Sequence, residues 1–288
     1  MSTITGHTSL TALLGSPVAH SISPLMHNEA FRLLGLDYVY LCFDVNEETL
    51  PAAVAGLRTC GIRGFNLTMP NKNKIVELLD ELSPEAQLIG AVNTVLNDNG
   101  KLIGYNTDGY GFMQSVRDAG HDVTNKNITV MGVGGASMAI CAQSALDGAS
   151  SVHIFARRTS RYWNRTQQFA ENLTAKTGCQ VCLFDNDDHT ALKDSIAQSY
   201  LLINATSVGM VPDIDDTIIK DTSLFRPGLV VADAVYNPQE TKLLREAKEA
   251  GCTCIGGKGM LLWQGVAAFK LYTGQDMPVD EVKELYFK

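Results

Sequence analysis

The sequence has little of what would send a chain to a membrane, to nucleic acid or to the cell exterior. No apolar run reaches the about 18 residues of a membrane-spanning helix. The first residues also lack a basic stretch followed by an apolar core, so the expectation is a cytoplasmic protein without a membrane partner. Positive charge is scarce. Lys and Arg total 23 against 31 Asp and Glu, a net charge of −8, which argues against nucleic acid and against an anionic lipid surface. Any anionic ligand must therefore be held by local donors. Cysteine is limited to seven residues, an odd number without regular spacing, which suits a reducing compartment better than a disulfide framework. Cys179 and Cys182 have the separation of a metal or redox pair, but they fall in an alternating, strand-like run. Residues three apart in a strand point to opposite faces, so both read as strand cysteines, and Cys252 and Cys254 read the same way. No metal cluster and no lipidation signal stands out. What remains is 45% hydrophobic and 19% charged residues over 288 positions, enough for two domains that each bury a core.

The organising stretch is 127–158, which reads as strand, glycine turn, helix and second strand. Ile128, Val130 and Met131 run into Gly132, Val133, Gly134, Gly135 and Ala136; a helix of short residues follows, and Val152 to Phe155 make the next strand. Glycines at such a turn let the backbone approach a pyrophosphate, and the helix N-terminus offers unpaired N–H groups to it. Ser137 occupies the third small position of the fingerprint. An NAD site usually carries an acid at the end of the second strand, whereas this chain has Ala156, Arg157, Arg158, Thr159, Ser160 and Arg161. Guanidinium forks suit a 2′-phosphate, so NADP is the favoured cofactor. A solvated arginine cluster that starts a helix is the plainer reading of the same residues.

The first 108 residues carry polar groups at the ends of apolar runs. Ser23 can cap a helix with Pro24 at its first position, and Ser21 with Ser23 would place two hydroxyls beside exposed N–H groups, able to hold a carboxylate. A helix-like run at 47–57 precedes a strand at 64–68 that stops at Pro70 and presents Lys72 just past its end, where open α/β sheets bind ligands. Asp98, Asn99 and Gly100 signal a hairpin that pairs Asn93 with Tyr105 and leaves Asn106, Thr107 and Asp108 past its open end. Asp108 then serves either as a neighbour of Asn93 or as the cap of a helix at 110–119. Further on, helices at 162–176, 188–198 and 241–250 alternate with strands at 180–184, 201–204 and 229–234, as a parallel sheet requires. The run 256–260 reads as a flexible turn into an apolar helix at 261–269 that contains Gln264.

Taken together, Ser21-Ile22-Ser23, Asn66 to Lys72, Ala91 to Thr94, Gly104 to Gly109 and Gly132 to Ala136 resemble the shikimate dehydrogenase family, in order and over nearly the whole chain. The resemblance implies a two-domain α/β fold. Its substrate domain would be discontinuous, 1–108 plus 260–288, and a Rossmann-type dinucleotide domain would span 109–259, with a cleft between them. It implies Lys72 and Asp108 as the catalytic pair, and Ser21, Ser23, Thr68, Asn93, Tyr236 and Gln264 as substrate contacts. The cofactor contacts it implies are Gly132, Gly134, Gly135, Ala136, Ala156, Arg157, Arg158, Thr159, Arg161, Thr206, Ser207, Val235, Gly257 and Met260. No metal is required. The implied reaction is the reversible reduction of 3-dehydroshikimate to shikimate by a monomer or homodimer.

Asn71, the Arg157-Arg158 pair and Leu261 to Gln264 look more like the quinate/shikimate branch, which extends the expectation to quinate and to NAD. That branch often has an acid after its arginine pair, and Thr159 stands there instead. Three rivals share the scaffold or the ligands: a methylene-tetrahydrofolate enzyme, a quinate-selective dehydrogenase, and a non-catalytic sensor of NADP and a cyclitol acid. The sensor has no need of a Lys and Asp pair for proton transfer.

Overall fold

The computed structural model describes residues 4–287; positions 1–3 and 288, at the ends of the expected first domain, lie outside the described residues. The chain divides into two compact units, Met1–Thr107 with Leu262–Lys288, and Asp108–Leu261.

The first unit opens with β1 (Ser9–Gly15), α1 (Ser23–Leu34), β2 (Tyr38–Asp44), α2 (Leu50–Thr59) and β3 (Gly64–Leu67). It continues through β4 (Glu81–Leu82), α3 (Pro84–Ile89), β5 (Thr94–Asp98) and β6 (Lys101–Tyr105). The sheet runs β2-β1-β3-β5-β6-β4 and is mixed, since β5 is antiparallel to both β3 and β6. Asn99 and Gly100 turn the β5–β6 hairpin with φ of 53° and 93°, the two positive values that a two-residue I′ turn needs. β1 is buried from Thr11 to Gly15 because both its faces are covered. Ala12 and Leu14 join a core with Leu50, Phe65 and Val95, while Leu13 joins a second core with Met26, Phe31 and Tyr40.

Two local expectations fail here. The helix expected at 47–57 begins at Leu50, because the Asn46 carboxamide accepts the Glu48 and Thr49 N–H groups at 3.1 and 3.0 Å and holds them in a turn. Ser23 is the first residue of α1 and makes no cap; its N–H donates to the Ser21 hydroxyl at 3.2 Å, so the capping acceptor is Ser21.

The second unit contains α4 (Asp108–Asp118), β7 (Asn127–Met131), α5 (Gly135–Leu146), β8 (Ser151–Ala156), α6 (Trp163–Thr177), β9 (Gln180–Asp185), α7 (His189–Gln198), β10 (Leu201–Asn204), β11 (Val230–Asp233), α8 (Lys242–Glu249) and β12 (Thr253–Ile255). Its sheet order, β12-β11-β10-β7-β8-β9, is wholly parallel and doubly wound. The strand order reverses between β7 and β10, the switch point beside which ligands bind in such sheets. The core packs Met131, Phe155, Leu202, Val231, Leu243 and Leu244 between sheet and helices.

The chain leaves β12 for α9 (Lys258–Thr273) and ends in α10 (Val279–Tyr286). The run expected as a flexible turn is helical from Lys258 onward. From α9 and α10, Leu262, Phe269, Tyr272 and Val282 complete the second core of the first unit. Gly265 lets α9 seat on α1, for a Cβ there would meet Met26 Cε at 2.0 Å. The α/β expectation, with a Rossmann-type sheet in one unit, holds.

Candidate active site

In the first unit one sequence-predicted residue, Asn93, lies in a buried relay with Tyr40, Asn66, Thr94 and Thr107. The Tyr40 hydroxyl donates to Asn66 Oδ1 at 2.8 Å, and Asn66 Nδ2 donates to Thr94 Oγ1 at 2.9 Å. The Thr94 hydroxyl donates to Asn93 Oδ1 at 2.9 Å, and Asn93 Nδ2 donates to Thr107 Oγ1 at 2.9 Å. The Thr107 hydroxyl closes the series on the Gln264 carbonyl at 3.0 Å. Asn93 is only 2% exposed, and this satisfaction of buried polar groups explains why it tolerates burial. Burial also pushes the Tyr40 phenol well above its usual range, so it remains a donor. The contribution of Gln264 to this relay is its backbone carbonyl.

Lys72 lies in the turn after β3 and is half-buried; its carbonyl accepts the Val92 N–H at 2.8 Å, which ties that turn to the residue before Asn93. Thr68 continues β3, with its N–H donated to the Leu14 carbonyl at 3.0 Å. Asp108, 5% exposed, begins α4 in the second unit.

In the second unit, Gly132 follows β7 with φ of 113°, and a Cβ there would meet Thr206 Cγ2 at 2.8 Å and the Ala205 carbonyl oxygen at 3.0 Å. The turn after β7 and the loop after β10 therefore abut at the switch point, which explains why glycine is needed. Gly134 and Gly135 are exposed, and a Cβ on either would meet nothing within 4 Å. That open space lies at the N-terminus of α5, with Ala136 in its first turn. Ser137 is fully buried and donates to the Gly132 carbonyl at 2.5 Å, so the third small position locks the turn. A glycine turn with open space before the N–H groups of a 12-residue helix fits a dinucleotide pyrophosphate.

At the end of β8, Ala156 is buried, and Arg157, Arg158 and Thr159 are exposed. The Arg158 guanidinium lies 4.5 Å over the Trp163 ring, and that of Arg161 lies 4.7 Å over Tyr162. Flat guanidinium groups held on rings fit a phosphomonoester. Sequence reading missed Asp185. The β8–β9 register sets it opposite Ala156, and its carboxylate accepts the Arg158 and Asp187 N–H groups at 3.3 and 3.2 Å. No local pattern marks it, because the neighbour arises from strand pairing. Thr206 is half-buried and Ser207 exposed in the loop after β10; Val235 is buried and Tyr236 is 44% exposed after β11. Gly257 sits where a Cβ would meet the Ala234 and Val235 carbonyl oxygens at 2.6 Å, and Met260 is half-buried in the first turn of α9.

The family model for the shikimate dehydrogenase substrate binding domain matches residues 13–95, and that for the shikimate 5'-dehydrogenase C-terminal domain matches 257–285. A shikimate dehydrogenase (NADP(+)) of Listeria innocua is 49% identical, covering 99% of this chain and 97% of its own length. The chain belongs to the shikimate dehydrogenase family. A shikimate dehydrogenase (NADP(+)) of Streptococcus pyogenes is 52% identical, with 98% and 97% covered. Among solved shikimate dehydrogenases, the crystal structure of shikimate 5-dehydrogenase from Listeria monocytogenes in complex with shikimate and NAD superposes with a TM-score of 0.94 at 48% identity, covering 98% and 97% of the two chains. Among the described residues of this shikimate dehydrogenase family member, no helix is long and apolar enough to cross a membrane.

Proposed function

We propose that this chain catalyses the reversible NADP-dependent reduction of 3-dehydroshikimate to shikimate, a small-molecule reaction of aromatic amino acid biosynthesis. The observation that carries the reading is the 49% and 52% identity, over nearly full length, to enzymes named for shikimate and NADP(+). The quinate-selective and sensor alternatives have no comparable support. When bound, the cofactor supplies the hydride in reduction and takes it up in oxidation.

The chain's own residues do the rest. Lys72 and Asp108 form the acid–base pair. In oxidation the ring hydroxyl loses its proton to the pair as its carbon becomes a carbonyl, and in reduction the pair returns that proton. Ser21 and Ser23 hold the substrate carboxylate through hydroxyls, which suits a chain whose net charge is −8. Thr68, Asn93, Tyr236 and Gln264 orient the ring hydroxyls; the relay through Asn93 supports this because it fixes the carboxamide plane. The glycine turn and the loop at 204–208 hold the dinucleotide, Val235, Gly257 and Met260 line the nicotinamide end, and Arg157, Arg158, Thr159 and Arg161 take the 2′-phosphate. NADP is preferred and NAD tolerated, in keeping with the relative solved with NAD. The first unit is the substrate-binding part and the second the cofactor-binding part. The enzyme acts in the cytoplasm as a monomer or homodimer, which sedimentation velocity distinguishes.

The test is absorbance at the reduced-nicotinamide band with shikimate and with quinate, each with NADP and with NAD. Fastest turnover with shikimate and NADP is expected. No turnover with shikimate under any cofactor would overturn the assignment.

A further inference from the structure

Asp233 ends β11 and is fully buried, at 0% exposure. Its carboxylate meets three donors. Oδ1 accepts Asn204 Nδ2 at 3.0 Å and the Val235 N–H at 2.9 Å, and Oδ2 accepts the Thr241 hydroxyl at 2.7 Å. Asn204 ends β10 directly opposite Asp233 in the parallel ladder and is likewise 0% exposed. Its Oδ1 accepts the Thr206 N–H at 3.1 Å and the Thr206 hydroxyl at 2.7 Å, and its Nδ2 also donates to the Val208 carbonyl at 3.1 Å. The Val208 N–H then donates to Thr206 Oγ1 at 3.1 Å. Two side chains thus fasten the backbone of two separate loops, 204–208 and 233–235, and their mutual hydrogen bond joins one loop to the other.

We propose that the Asp233–Asn204 pair orders these two loops as one body, and that Asp233 is thereby a positioning residue for cofactor binding. The inference rests on the reading above, in which Thr206, Ser207 and Val235 contact the dinucleotide. A buried carboxylate is a poor device for stability alone, since well-packed apolar groups of like volume often serve as well or better. Here both oxygens act on the segments that would touch cofactor. Burial raises the Asp233 carboxyl above its usual range, while Thr241, Val235 and Asn204 oppose that rise by hydrogen bonding to the charged form.

The test is amide exchange on the ligand-free protein combined with NADP titration. Asp233→Ala removes both acceptor oxygens and leaves all three donors without this partner. Exchange should therefore quicken about tenfold or more at Val235 and also at Thr206 and Val208 in the other loop, and the Kd for NADP should rise about tenfold, the size expected for a lost hydrogen bond to a charged group. Thr206→Val leaves both strands and Asp233 intact and should quicken exchange at Val235 across the pair; it decides the matter if Asp233→Ala does not fold. Thr241→Ser keeps the hydroxyl and should bind NADP within about twofold of the parent, as a retained hydrogen bond implies. Unchanged exchange in the loop remote from either substitution overturns the coupling, and unchanged NADP affinity in folded Asp233→Ala overturns the positioning role. Absence of NADP binding by the parent chain would instead sink the proposed activity and leave the exchange result standing.

Discussion

Asn93 grips Thr107 at two points: its Oδ1 accepts the Thr107 N–H at 2.8 Å, and its Nδ2 donates to the Thr107 hydroxyl at 2.9 Å. Thr107 immediately precedes Asp108 in the chain, so one buried carboxamide fixes the backbone that delivers the proposed catalytic carboxylate. Thr107→Val keeps the shape and removes the hydroxyl, which leaves Asn93 Nδ2 and the Gln264 carbonyl without this partner. The expected cost is about 1–3 kcal/mol. Calorimetry should register it as a fall in Tm of roughly 3 to 10 °C for a chain of this size. An unaltered Tm would mean that the relay contributes nothing.

Lys72→Ala should reduce kcat by about 10²- to 10⁴-fold, the usual contribution of a positioned acid–base group. Its Tm and NADP affinity should stay near the parent values, because the backbone tie of residue 72 to Val92 does not involve the side chain. Steady-state kinetics with shikimate checks this, and near-parental turnover would remove Lys72 from the mechanism.

The two glycines of the turn should behave differently. Gly132→Ala places a Cβ against Thr206 and Ala205 at a φ of 113°, so both Tm and NADP affinity should fall. Gly134 has φ of −80° and open space around it, so Gly134→Ala should fold normally and lose NADP affinity about tenfold or more through the blocked backbone approach. Equal Tm losses in the two variants would contradict this account.

Arg158→Ala should raise the Kd for NADP about tenfold and leave that for NAD nearly unchanged, as expected for removal of one charge-assisted contact to a 2′-phosphate. Trp163→Leu removes the platform beneath the Arg158 guanidinium and should do the same to a smaller degree, about two- to fivefold. Titration with both dinucleotides reads the difference, and a parallel loss of NAD affinity would argue for a general disturbance.

His27 is 1% exposed, stacks on Tyr40 at 4.4 Å, and is lowered by burial to about 3. A histidine whose folded value lies below its unfolded value of 6.5 takes up a proton more readily when unfolded, so stability holds above pH 6.5 and is lost as pH falls from there toward 3. Between pH 6.5 and 4.5 this single group should cost up to about 2–3 kcal/mol. Denaturant unfolding of the parent and of His27→Phe at pH 7 and 4.5 checks the sign: the parent should lose more stability on acidification. Equal losses would show that His27 does not titrate on unfolding.

The sequence made most of the architecture legible wherever one local rule decided it. Asn99-Gly100 specifies its turn through two positive φ values, and Gly132 to Ala136 after an apolar strand specifies the strand-to-helix turn. The start of α2 escaped because Asn46 competes for the same N–H groups that a helix would use. The cap expected of Ser23 fell to Ser21 because the helix begins one residue before Pro24, which makes the Ser23 N–H a donor in need of an acceptor. The hydrogen bonds of Asn66 to Thr94 and of Asp233 to Asn204, and the placement of Asp185 opposite Ala156, were invisible, since those partners come from neighbouring strands. Only register reveals them.

The second unit interrupts the first in sequence, and α9 and α10 supply Leu262, Phe269, Tyr272 and Val282 to the earlier core. During ribosomal synthesis the contiguous segment 108–261 has all its strands as soon as it emerges, whereas the older segment must wait for the last helices to complete the core that holds Phe31 and Tyr40. Truncation within 262–288 should therefore injure the part of the polypeptide made first and spare the part made later.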